Sequence, residues 1–208
     1  MIAVITGDII NSRVDKNNNW LTEFKEMLNN KQIVKYFKIN GWDIYRGDSF
    51  QIEAGYAQIL ELCFLIKAVI KHHKALDVRM AVGLGNKTFN AKKVTQSNGT
   101  AYVNSGECFE KLSGYTLGIK STDEIFDKDL NLMLRLASKT IDFWKPSTAK
   151  VIKTALENPN WKQYEIQEHL NMKSQSSISE ALKRAAYDEL MQLSKNYKDK
   201  ATKLCQAH

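Results

Sequence analysis

Two aspartates and one cluster of short polar and basic residues are the parts of this 208-residue sequence whose types and spacing could do chemistry. Asp8 follows the apolar, β-branched run at residues 2–5 and then Gly7, a pattern that predicts a strand buried on both faces and ending near Asp8. Asn11, Ser12 and Arg13 then form a polar loop. A carboxylate at a strand end means little until a second one meets it. The candidate is Asp48, in Tyr45-Arg46-Gly47-Asp48, where alternating runs at residues 41–46 and 49–53 flank a Gly-Asp turn and predict a hairpin.

The second candidate lies in residues 162–185. Ile166 and Leu170 make the apolar face of a short helix, and Asn171 can take the left-handed conformation of a tight turn. Ser174 or Ser176 can cap a second helix, whose Ile178 and Leu182 face the same core. Ile152, Ala155 and Leu156 supply a packing helix ahead of them. This is a helix-turn-helix pattern resembling those of bacterial transcription regulators. It departs from them at Gln167, where a small residue is usual, and in one extra residue between Leu170 and Ile178. The open face of the second helix would offer Gln175, Ser177, Ser179, Lys183 and Arg184 to base edges and phosphates. Phosphate contacts from Lys173, Lys183 and Arg184 predict a slope of about −3 in log affinity against log salt.

The elements that must position these residues follow from periodicity. Trp20, Phe24, Met27 and Leu28 predict a helix over 19–30, and Ile59 to Ile70 anchor a longer one over 56–74. Residues 77–85 and 115–119 read as strands, 86–100 as a polar basic loop, and 99–112 as helical through its second half. The order β–α–β–β–α–β–α–β favours an α+β sandwich of the split βαβ kind. After Ser121 only helical patterns recur, at 130–144, 147–156, 163–170 and from 176 onward. The acidic stretch 123–129 marks the expected boundary between an α+β domain at 1–122 and a helical domain at 128–208, with the helix-turn-helix at about 147–190.

Composition sets the partners. A net charge of +7 favours an anionic partner such as DNA or a nucleotide. The longest apolar run, residues 59–70, is interrupted by Glu61 and Lys67 and is too short to span a bilayer. Cys63, Cys108 and Cys205 have no metal-ligand spacing and fit a reducing compartment, and no basic leader follows Met1, so a cytoplasmic protein is expected. His72 and His73 end a long helix, where their natural role is with its C-terminal dipole.

In Asp8-Ile9, Gly47-Asp48, Arg79-Met-Ala-Val-Gly-Leu-Gly85 and Gly99-Thr-Ala-Tyr-Val-Asn104, in that order, residues 1–120 resemble the palm-type catalytic domain of class III nucleotide cyclases. The resemblance implies a ferredoxin-like sandwich in which Asp8 and Asp48 hold Mg or Mn ions. Paired carboxylates repel until a divalent ion joins them, and nucleotide phosphates complete its coordination. The phosphate-binding set would be Asn11, Ser12, Arg13, Arg46 and Asn104. Where the family places a charge-stabilising arginine this chain has Cys108, the purine-choosing position is Ile44, and a glycine is replaced by Asn11. Loss of one such stabiliser commonly costs several kcal/mol of barrier.

The opening Thr-Gly-Asp-Ile-x-x-Ser-Arg with a later helix-turn-helix is similar to the SatD family of small bacterial proteins. It implies a DNA-binding transcriptional regulator with a cyclase-like front half. With the departures above, that half is expected to be catalytically degenerate and to sense a nucleotide or other phosphate ligand or mediate dimerisation, in a homodimer without membrane contact. The alternatives are a metal-dependent nucleotidyl-transfer enzyme acting through Asp8 and Asp48, and a non-catalytic interaction module.

Overall fold

The computed structural model describes residues 1–206. Five strands form one mixed sheet: β1 (Ile2–Ile10), β2 (Gly41–Tyr45), β3 (Ser49–Ala54), β4 (Asp77–Gly85) and β5 (Leu117–Lys120). Their spatial order is β2-β3-β1-β4-β5, with β1 antiparallel to both β3 and β4, and β4 parallel to β5. The fold is α+β.

Alternation along β1 explains its central place. Ala3, Ile5 and Ile9 enter the main core with α1 (Asn19–Asn29) and α3 (Ile59–Lys71), whereas Val4 packs with Val94, Ala101 and Tyr102 around α4 (Thr100–Glu110). The strand runs past Asp8, near which the sequence pattern suggested an end, because β3 pairs with it as far as Asp8 and β4 continues the pairing to Ile10. Glycine is needed at position 7 because a Cβ there would lie 2.5 Å from the Phe50 ring.

Two further glycines set the depth of α4. A Cβ on Gly83 would stand 2.1 Å from the Ala101 carbonyl oxygen, and one on Gly85 2.6 Å from the Ala101 nitrogen. The Gly-x-Gly exit of β4 thus lets a helix backbone lie directly on the sheet. The loop after β4 is also more structured than its polarity suggests: Lys87 reaches the buried Glu53 at 2.7 Å, where Asn40 and the Tyr102 hydroxyl also donate. Burial works to raise the Glu53 pKa, but these donors overcome it and hold the carboxyl below its ordinary value.

The remaining helices are α2 (Lys31–Phe37), α5 (Glu124–Ile141), α6 (Pro146–Glu157), α7 (Gln163–His169), α8 (Gln175–Arg184) and α9 (Tyr187–Gln206). Asn30 caps α2 by accepting from the Gln32 and Ile33 N–H groups. The acidic stretch expected to be a boundary is the first turn of α5, with Asp123 accepting from Ile125 and Phe126 N–H. Asn131 on α5 donates to the Ile119 carbonyl and accepts from its N–H, closing the outer edge of β5.

The main core continues from the sheet into Leu130, Leu134, Ile152, Tyr197 and Ala201, while a smaller cluster, Val151, Ala155, Ile166, Ile178 and Ala181, holds α6, α7 and α8 together. The helical pattern continuing beyond Arg184 is interrupted. Ala186 takes φ 54°, which breaks α8 from α9 and turns α9 back onto the core, where the Tyr197 hydroxyl donates to the Tyr56 carbonyl at 2.8 Å. No helix of the described residues is long and apolar enough to cross a membrane.

Candidate functional site

Register brings Asp8 and Asp48 to one end of the sheet. Asp8 sits opposite Ser49 on one side and Arg79 on the other, inside the strand rather than at its end. Asp48 ends the β2–β3 turn, in which Arg46 and Gly47 take φ of 53° and 87°. The Asp48 carbonyl accepts from Ile9 N–H at 3.0 Å, and its Oδ2 accepts from the Ser12 hydroxyl at 3.0 Å.

Asp8 is already engaged. Arg79 donates from Nε to Oδ1 at 3.1 Å and from Nη2 to Oδ2 at 2.6 Å, and its guanidinium lies 4.8 Å from the Phe109 ring centre. Its hydrogen bond to Asp8 raises the arginine pKa. Such a two-pronged pair uses both carboxylate oxygens, so a metal ion at Asp8 competes with a guanidinium already in place.

The phosphate candidates divide. Ser12 is at the acidic end with Asp48, Arg13 and Arg46 are exposed, and Asn11 takes φ 61° and donates to the Ala75 carbonyl at 3.2 Å. Asn104 has a different task. It lies on the buried face of α4, 8% exposed, and donates to the Leu84 carbonyl at 2.8 Å, and Leu84 lies opposite Ala3. Five residues of strand separate that point from Asp8, about 16 Å, too far for one phosphate to bridge. Cys108 is half-buried, and burial pushes its thiol up to about 11, so it supplies no charge where the cyclase pattern has arginine.

The helix-turn-helix candidates come together more closely. Ser174 caps α8, accepting from Ser177 N–H, and its hydroxyl lies 3.1 Å from that of Ser177. Asn171 takes φ 50°, the left-handed turn. The Gln167 amide donates to the Met172 carbonyl at 2.8 Å, while Met172 N–H donates back to the Gln167 carbonyl at 3.0 Å. Gln167 therefore clamps the longer turn, which accounts for a long polar residue where a small one is usual. Lys173, Gln175, Ser179, Lys183 and Arg184 are exposed, whereas Ser177 is half-covered by its part in the cap. Glu180 stands 3.8 Å from Arg184, an exposed and weak pair.

No family model, curated protein or solved structure matches this chain.

Two charged clusters escaped sequence reasoning. Glu23 on α1 meets His73 Nε2 at 2.6 Å, His72 Nδ1 at 3.4 Å and Lys153 Nζ at 2.5 Å. Burial works to raise the Glu23 pKa, but the His72 and Lys153 contacts dominate and hold it at about 2. Lys67, 1% exposed, meets Asp77 and Asp142, each at 2.6 Å. The only sequence signal for the second cluster was a lysine inside an apolar helix face. The first had none, since the partners of Glu23 lie 49 to 130 residues away from it.

Proposed function

We propose that this chain is a DNA-binding transcriptional regulator in which α8 enters the major groove. The single observation that carries the reading is the clamped turn. Gln167 and left-handed Asn171 set α8 against α6 and α7 through Ile166, Ile178 and Ala181, leaving Gln175, Ser179, Lys183 and Arg184 outward. A ten-residue helix is about 15 Å long, and the major groove, about 12 Å wide, admits one. Short side chains at its start suit base edges, and the basic pair at its end suits phosphates.

The front half supports the reading as a cyclase-like platform that has lost its chemistry. The strand order β2-β3-β1-β4, with β5 added at one edge, agrees with a split βαβ sandwich. Asp8 paired with Arg79, and Cys108 in place of a cation, favour a sensing or dimerising role over turnover. The SatD-like order of motifs agrees with this assignment.

Selection from randomised duplexes, followed by binding to the enriched sequence across a salt series, tests the proposal. The wild-type chain enriches a motif. The double variant Lys183→Ala/Arg184→Ala binds at least tenfold more weakly, with a salt slope reduced by about 2. No enrichment, or an unchanged slope, overturns it.

The rival is a metal-dependent nucleotidyl-transfer enzyme using Mg or Mn, favoured by the position of Asp8 and Asp48 at the same end of the sheet. Incubating wild type and Asp48→Ala with nucleoside triphosphates and Mn²⁺ decides it, since a product made by wild type alone requires that site.

A further inference from the structure

A hollow of about 590 Å³ opens where the last turn of α5, the first turn of α6 and the end of α8 converge. Lys139, Lys145 and Arg184 line it with Ser147, Thr148 and Phe143, and no carboxylate of the described residues does. Neither Lys139 nor Lys145 forms an ion pair among the described residues. The nearby Asp142 is committed elsewhere: its carboxylate is held by Lys67 and its carbonyl accepts from Lys71 at 2.6 Å.

The twelve-residue helix α6 begins in this hollow without a side-chain cap, and Pro146 occupies its first turn. The N–H groups that follow carry the positive end of the helix dipole and lack helical partners. A second, independent feature lies beside them. Thr148 is only 8% exposed, lines the hollow, and its hydroxyl makes no hydrogen bond among the described residues. Thr154 on the same helix shows the usual alternative, donating to the Lys150 carbonyl at 3.0 Å. The Thr148 hydroxyl is thus uncommitted where it meets the hollow, and can donate to or accept from a group that enters there.

We propose that this hollow binds the phosphate of a small phosphomonoester carrying a planar ring, of the nucleoside monophosphate class. The Ser147 and Thr148 N–H groups, the Thr148 hydroxyl and the three cations surround the phosphate. Phe143, 77% exposed at the rim, receives the ring. The volume falls in the range of small-molecule sites, about 300–1,000 Å³, and exceeds what a bare phosphate fills. A DNA backbone phosphate shares this chemistry, but the depth of Thr148 in a concave hollow favours a free small molecule.

The test uses the full chain without DNA, so it stands or falls apart from the DNA-binding assignment. The thermal midpoint is followed against AMP, inorganic phosphate and potassium chloride at matched ionic strength. AMP raises the midpoint more than the chloride control and binds at least tenfold more tightly than inorganic phosphate. Lys139→Ala/Lys145→Ala removes the shift, Thr148→Val weakens it, and Lys25→Ala, at an exposed position of α1, leaves it intact. Phe143→Ala weakens AMP and spares inorganic phosphate.

No shift beyond the chloride control overturns the proposal, as does a shift that survives the double lysine variant. AMP no tighter than inorganic phosphate overturns the ring contact. In a parallel arm, a short duplex that stabilises the chain through Lys139 and Lys145 while AMP does not would assign the hollow to a strand phosphate instead.

Discussion

Arg79 on β4 holds both carboxylate oxygens of Asp8 on β1, at 3.1 and 2.6 Å, across directly opposed positions of neighbouring strands. The residue that looked most available for a metal is thus the one with a cation already beside it. Arg79→Ala frees that carboxylate. The pair is partly exposed, so the stability loss is about 0.5–1 kcal/mol. Mn²⁺ at millimolar concentration raises the variant's melting midpoint more than the wild type's. Equal shifts in the two proteins would show that Arg79 does not guard Asp8.

Glu23 makes stability acid-sensitive. Its folded pKa, about 2, lies below the ordinary 4.5, so its contribution is fully present above pH 4.5 and is lost as the pH falls toward 2. The groups facing it are His72 and His73 at the end of α3, and Lys153 on α6 with Glu157 one turn further along. Glu23→Gln therefore flattens the stability curve between pH 4.5 and 2, measured by urea unfolding at several pH values. A curve parallel to that of the wild type would remove Glu23 from the account.

Lys67 is a buried cation shared by two aspartates, and it ties α3 to the start of β4 and the end of α5. Lys67→Met leaves Asp142 without its ammonium and Asp77 with Lys71 alone. Removing one partner of a buried network costs about 3–5 kcal/mol, to be read as a lowered denaturation midpoint. A loss under about 1 kcal/mol would mean that water replaces the ammonium freely.

Two glycines bracketing the α4 contact behave oppositely. Gly83→Ala drives a methyl into the Ala101 and Ser105 backbones and costs about 1–3 kcal/mol. Gly106→Ala, within α4 itself, meets nothing within 4 Å and stabilises the helix by about 0.5–1 kcal/mol. Calorimetric midpoints of the two variants moving in the same direction would contradict the close approach of α4 to β4.

The turn between α7 and α8 is open to the same kind of check. Asn171 holds φ 50°, where a side chain that cannot bond its own backbone is strained. Asn171→Ala costs about 1–2 kcal/mol, while Asn171→Gly is close to neutral. If the alanine variant unfolds at the same midpoint as the wild type, the left-handed turn does not hold the helix-turn-helix together.

Much of this architecture was legible in the residues alone. The alternation around Gly47-Asp48, the helical spacing of Trp20, Phe24, Met27 and Leu28, and the Ser174 cap before Ile178 each record burial or hydrogen bonding within a few residues. Local pattern captures that information because strand and helix periods are set by backbone geometry. Only the tertiary structure decided which groups meet. Arg79 reaches Asp8 from 71 positions away, Lys153 reaches Glu23 from 130, and Asn104 turns inward to Leu84 instead of toward the acidic end. Strand register and helix packing set those meetings, and no short spacing encodes them. The break at Ala186 belongs with them, since a left-handed alanine is uphill locally and persists because it returns α9 to the core.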